Sequence, residues 1–190
     1  MATKNRREDV LDAANRVFLR FGYRRSTMGD IAEEAGILRP TLYLVFRSKE
    51  EIFSAVLGRV LNAELEEIRV KLAKQNTPTA KLMLALEVWC VHNYELTHSV
   101  AGATDLYESS FEFANEVAAK STAEFNTILA QILEPLVHSQ SRLTLTAAEL
   151  ARLISSASVG FKSTAKGAKE LRANLRGLVA VVLASLGEGP

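Results

Sequence analysis

Cysteine occurs once in 190 residues, at Cys90, so no disulfide can form within the chain and a reducing compartment is expected. Proline is confined to positions 40, 78, 135 and 190, which leaves long stretches free to be helical. Charge of one sign is not in excess: 23 Lys and Arg against 22 Asp and Glu leave a net +1, which points to no class of partner. A long apolar run is also missing. The longest stretch of low charge, "LMLALEVWCVHNYEL", is too short and too polar to span a bilayer, so no membrane partner is expected. The opening "MATKNRREDV" has no apolar core of a secretory signal, and a cytoplasmic location is expected. Catalytic signatures are absent as well. There is no HExxH, GxSxG or phosphate-loop pattern, and Cys90 and His92, two apart, face different sides of a helix. No enzyme activity, metal or cofactor is therefore expected.

What the sequence does have is helical periodicity from end to end, with no convincing strand alternation. A first helix over 5–22 carries the stripe Val10, Ala13, Ala14, Val17, Phe18 and Phe21 and stops at Gly22. Thr27 is placed to cap a short second helix, with Asp30 at the capping-box position, and Gly36 ends it. Arg39-Pro40 opens a third helix, and Ser48 with Glu51 opens a fourth that runs to about Lys74. "QNTPTA" is a linker, and Thr77-Pro78 starts a fifth helix to about residue 98 that is apolar on nearly every face. Helices follow over 101–138 with a break near Ala114, then 146–164 behind a Thr146–Glu149 capping box, then 167–186. The expected fold is all-α with about nine helices.

Residues 27–46 carry the most information. A short helix ends at a glycine, a tight turn follows, and a second short helix begins. Ile31, Ala35, Ile37, Leu42 and Phe46 are spaced to pack inward, and Gly36 suits a positive φ. This is the logic of a helix-turn-helix, whose second helix offers Leu38, Arg39, Pro40, Thr41, Tyr43 and Leu44 to base edges in a major groove. An ordinary core hairpin has the same spacing. Residues 1–60 hold eleven Lys and Arg and eight Asp and Glu, a modestly basic head on a slightly acidic body.

The wider stretch "FLRFGYRRSTMGDIAEEAGILRPTLYLVFRSKEEIF", residues 18–53, resembles the DNA-binding domain of TetR-family transcriptional regulators, most specifically in "TLYLVF" followed by "SKEE". The resemblance implies a helix-turn-helix head over 1–49, a connecting helix over 50–74 and an effector-binding and dimerisation body over 75–190. It implies that Thr27 caps the second helix and touches a phosphate, that Arg39 and Thr41 lie in the groove beside Pro40, and that Tyr43 and Lys49 meet phosphates. Arg24, Arg25 and the "KNRR" head would add charge toward the DNA backbone. Leu38, Leu44 and Val45 depart from the family's usual polar or aromatic choices. Leu38 and Leu44 read as apolar contacts to thymine methyl groups, or Leu44 and Val45 pack on a neighbouring helix.

For the body, the resemblance implies a homodimer built from the last two helices. Leu150, Leu153, Ala157 and Phe161 would lie on one helix and Leu171, Leu175, Leu178 and Val182 on the other. Trp89, Asn93, Tyr107, Phe111 and Phe125 are candidates to line an effector cavity, with core packing as the plain alternative. No Lys or Arg occurs from 82 to 119, where Glu87, Glu95, Asp105, Glu108, Glu112 and Glu116 do. These acids either pair with basic residues elsewhere or line a site for a cationic effector. The function implied is a ligand-responsive, sequence-specific regulator of transcription, a repressor of a palindromic double-stranded operator released by a small molecule. An activator of the same fold and a helical protein–protein adaptor stay open.

Overall fold

The computed structural model describes residues 2–99, 103–137 and 144–187. All regular elements among them are helical: α1 (Ala2–Phe21), α2 (Met28–Glu34), α3 (Arg39–Val45), α4 (Lys49–Leu72), α5 (Pro78–Leu86), a π turn (Glu87–Val91), α6 (His92–Ser99), α7 (Ala103–Phe113), α8 (Asn115–Leu133), a 3₁₀ turn (Glu134–Leu136), α9 (Ala147–Thr164) and α10 (Ala168–Ser185). The chain divides into two compact units. The first comprises Met1–Asn62 and Leu96–Ser121, the second Ala63–Glu95 and Thr122–Pro190.

The first unit is built on α1. Val10, Ala13, Ala14, Val17 and Phe18 are buried, and all but Ala13 share one core cluster with Ile31, Leu42, Phe46, Ile52 and Phe53. Phe21, the last member of the expected stripe, is instead 41% exposed, and the Arg20 guanidinium lies over its ring. Gly22 takes φ +80° as the helix stops. The hairpin follows from short-range chemistry. Thr27 and Asp30 exchange the two hydrogen bonds of a capping box, although Asp is one methylene shorter than the usual Glu. At the other end Gly36 has φ +65°, its N–H donates to the Glu33 carbonyl, and the Ile37 N–H donates to the Ala32 carbonyl. That pair of bonds is a Schellman stop, and it requires a residue tolerant of the left-handed region at Gly36. At the start of α4 the Ser48 hydroxyl accepts from the Glu51 N–H, while the Glu51 carboxylate accepts from the Arg47 N–H.

The second unit has its own core, centred on Leu65, Ile68, Leu82, Leu86, Val91, Phe125, Leu129, Ile154, Leu175 and Val179. The helix expected over 78–98 is broken by the π turn, in which the His92 N–H reaches back five residues to the Glu87 carbonyl. A helix apolar on all sides has no periodic face to impose a single register, and a π turn adds a residue without ending the helix. The Thr146–Glu149 capping box opens α9.

Candidate nucleic-acid interface and effector body

On α3 the residues divide by direction. Leu42 and Phe46 are buried and Val45 half-buried, all facing α1 and its neighbours. The opposite side is open: Tyr43 is 44% exposed, Leu38 75% and Leu44 87%, with Arg39 and Pro40 exposed beside them and Thr41 half-exposed. Leu44 therefore does not pack on a neighbouring helix, whereas Val45 does. The Arg39 guanidinium donates to the Tyr43 hydroxyl at 3.3 Å and lies 5.7 Å from its ring centre, so the two side chains form one polar edge of the exposed face. Thr27 sits at the N-terminus of α2, with its hydroxyl within 2.8 Å of the Asp30 carboxylate.

Four basic residues expected toward the DNA backbone are otherwise engaged. The Lys49 ammonium donates to the carbonyls of Tyr23 at 2.8 Å and Ser26 at 2.9 Å and lies 4.2 Å from the Tyr23 ring centre. Those carbonyls belong to the turn between α1 and α2, which has no helical partners for them, so an ammonium at the start of α4 satisfies both. Arg24 faces three acids of α7: Asp105 at 3.5 Å, Glu108 at 3.9 Å and Glu112 at 3.6 Å. Its backbone N–H also donates to Asp105 at 2.9 Å. Arg25 donates to the Phe21 carbonyl, while Arg7 of the basic head lies over the Phe46 ring. Next to this network the Tyr23 hydroxyl donates to Glu50, and burial with that carboxylate raises the Tyr23 pKa well above the usual phenol range.

In the second unit, Trp89 and Phe125 stack at 4.7 Å with their planes 10° apart. Trp89 lies inside the π turn, a distortion that recurs at functional sites. The Asn93 amide donates to the Trp89 carbonyl at 2.9 Å and to the Glu64 carboxylate at 3.1 Å. Burial pushes the Glu64 carboxyl up to about 7, against the opposing pull of Asn93 and the Lys162 ammonium. Burial likewise lowers the Lys162 pKa. The Asn126 side-chain oxygen is buried with no hydrogen-bond partner among the described residues. Glu64 was not singled out from the sequence, and Lys162 only as a possible partner of the acidic run. The available signal was that Glu64 stands four residues before the buried Ile68, on the same side of α4. Tyr107 and Phe111 belong to α7 in the first unit, and their side chains lie outside the described residues.

The acidic run between 82 and 119 is largely paired. Arg172 holds Glu87 through Nε and Nη2 and reaches Glu95 at 2.9 Å, as Arg24 holds Asp105, Glu108 and Glu112. Five of the six acids thus have a basic partner within 4 Å, as the pairing alternative expected.

The expected dimer residues also divide. Leu150, Leu171 and Leu175 are buried in the protomer's own core and are unavailable to a second chain, because they face α5 and its neighbours. Leu153 is 54% exposed, and Ala157, Phe161, Leu178 and Val182 are half-buried. Val159 and Val181, which the sequence reading omitted, are exposed at 55% and 69%.

Residues 10–56 match the sequence model of the family described as bacterial regulatory proteins, tetR family. Over 115 residues the chain is 31% identical to the HTH-type transcriptional activator FasR of Mycolicibacterium smegmatis, a match covering 60% of this chain and 51% of that protein. The chain thus spans about half the length of that relative. The fold is shared with a TetR/AcrR-family regulator of Thermobifida fusca, with a TM-score of 0.68, 20% identity and coverage of 92% of this chain and 96% of that one. It is also shared with Thermus thermophilus FadR, a TetR-family repressor solved in complex with lauroyl-CoA, with a TM-score of 0.60, 22% identity and coverage of 92% and 93%. Residues 10–56 thus match the helix-turn-helix segment of the tetR family of bacterial regulatory proteins, and the all-helical fold is shared with those solved regulators over nine-tenths of this chain.

Proposed function

We propose that the chain is a ligand-responsive, sequence-specific DNA-binding regulator that works as a homodimer on a palindromic operator and represses until a small-molecule effector releases it. The observation that carries this reading is the open face of α3, where Arg39, Pro40, Tyr43 and Leu44 project with no Asp or Glu between Glu34 and Glu50. Thr27, Arg39, Pro40, Thr41, Tyr43 and Leu44 are the DNA-facing set, and Lys49 braces the turn behind them. Residues 1–49 act as the reading head, 50–74 as the connector and 75–190 as the effector and dimer body. No catalytic step is assigned. An activator is the second reading, supported by the name of the FasR relative.

Dimerisation through the outer faces of α9 and α10 has support beyond family likeness. Gly160 and Gly177 stand inside these helices, where glycine costs about 0.5–1 kcal/mol relative to alanine. A Cβ at either would meet nothing within 4 Å, so nothing inside the chain requires them. A second backbone approaching closely at these positions would use that space. The contact set is then Leu153, Ala157, Val159, Phe161, Leu178, Val181 and Val182. For the effector, the Trp89–Phe125 stack, Asn93, Glu64 and the unpartnered oxygen of Asn126 support a mainly apolar ligand with a hydrogen-bond donor. The test is selection from a random DNA pool at several salt concentrations, with light scattering on the same protein. Enrichment of a palindrome by a species of twice 20.8 kDa is expected. A pool that stays random, or a monomer that binds as tightly, overturns the reading.

A further inference from the structure

The residues of α3 that face away from the protein are mostly apolar, and their arrangement specifies what they meet. At 100° per residue, Pro40 and Leu44 stand one above the other, each roughly 160° round the axis from buried Leu42. They form the crest of the exposed face. Leu38, the extended residue that caps the helix, prolongs the apolar surface at 75% exposure. Arg39 and Tyr43, joined to each other, run along one flank, and Thr41 along the other. A single exposed leucine needs no explanation, but Pro40 and Leu44 on the outer side of the helix and Leu38 at its N-cap leave three apolar residues exposed together in seven positions. Arg39 and Arg47 stand beside it, and no acid occurs from residue 35 to 49, so the surroundings complement a polyanion.

We infer that this crest reads thymine methyl groups in the major groove, with Leu44 and Leu38 each set against a methyl and Arg39 supplying the hydrogen-bonded contact beside them. The inference rests on the reading of the chain as a DNA-binding regulator and deepens it by naming the base chemistry recognised. The C5-methyl of thymine is the one apolar group that a base pair presents in that groove. Pro40, which has no N–H, removes a donor that would otherwise need a polar partner at the crest. A crest of this kind gives a half-site with thymine at fixed steps from the base read by Arg39, and tolerance for changes that keep the methyl.

The test replaces thymine by deoxyuracil, one position at a time, in the operator selected by the wild-type protein. Deoxyuracil removes the methyl and keeps every hydrogen-bonding group. Burial of one methyl corresponds to about a fourfold change in affinity, and so to about fifteenfold when both half-sites are changed. Leu44→Ala and Leu38→Ala are run alongside. Both side chains are exposed, so folding should be unaffected, and each variant should lose the thymine-to-uracil penalty at its own step while keeping it elsewhere. Arg39→Ala should keep both penalties. If thymine and uracil operators bind alike, the inference is overturned while the regulator reading stands. If no specific operator binds at all, both fall. If Leu44→Ala retains the full penalty at every step, the methyls are read by another part of the chain and Leu44 is not the reader.

Discussion

Lys49→Met separates bracing from phosphate contact. Methionine keeps most of the stem and removes the three donors. In the structure the ammonium satisfies the Tyr23 and Ser26 carbonyls at 2.8 and 2.9 Å and sits over the Tyr23 ring. A hydrogen bond to a charged group contributes about 1.5–3 kcal/mol, and a cation over an aromatic face about 0.5–1 kcal/mol when exposed. Lys49 is only half-buried, so water can reach the orphaned carbonyls and recover part of that loss. A net destabilisation of about 2 kcal/mol is the expected result, or a fall in Tm of about 4–8 °C. The salt slope of operator binding should not change. A lysine on phosphate would behave in the opposite way: its removal would flatten the slope by about one counterion per half-site and leave Tm in place. The assays are thermal melts and operator titrations from low to moderate salt on the same preparations. An unchanged Tm with a flattened slope would refute the bracing argument.

Glu64→Gln tests the buried carboxyl. A pKa raised from 4.5 to about 7 means the fold prefers the protonated acid, so its favourable contribution is full below pH 4.5 and is lost as pH rises through 7. Relative to wild type, the glutamine variant should therefore gain stability between pH 5 and pH 8, by at most about 3 kcal/mol in urea melts, and a pH-independent difference would contradict it. Leu153→Asp with Val181→Asp should give a folded monomer by light scattering, whereas Leu175→Asp should abolish folding, because it places a charge in the protomer core. A folded Leu175→Asp monomer would show that α10 faces the other way. Arg24→Gln and Asp105→Asn should destabilise the first unit by less together than the sum of each alone, with about 0.5–1 kcal/mol of coupling for this part-exposed pair; strict additivity would mean that the contact carries no stability.

The head was legible because its punctuation is local. Thr27, Asp30, Gly36, Pro40 and Ser48 act over three or four residues, and the structure uses each where the sequence placed it. Burial of Leu42 and Phe46 followed from the same spacing. Phe21 failed because a stripe counted to the last turn of a helix assumes a neighbour beyond its end, and here the chain turns away at Gly22. In the second unit, periodicity gave helices but not their faces. Both α9 and α10 are apolar on two sides, so a single stripe merged the core set Leu150, Leu171 and Leu175 with exposed Leu153 and with Val182, which is half-buried at the core's edge. The π turn was invisible for a related reason: with apolar residues on every side, a slip of one residue leaves no trace in the pattern.

Charge was read least well, since the sequence gives the sign of a side chain but not what stands opposite it. Lys49, Arg24 and Arg172 find their partners 23 to 85 residues away. Lys49 and Arg24 were read as free for phosphate, whereas Arg172 was among the partners expected for the acidic run and does hold Glu87 and Glu95. An ion pair at such distance is a consequence of the fold, and the fold spends those charges before any ligand arrives. Among the described residues, what the head leaves open is Arg39, bonded to its own neighbour Tyr43, the exposed Arg47, and an apolar crest. For the head, the part of the surface the fold leaves unsatisfied is a stronger guide to its partner than a count of basic residues.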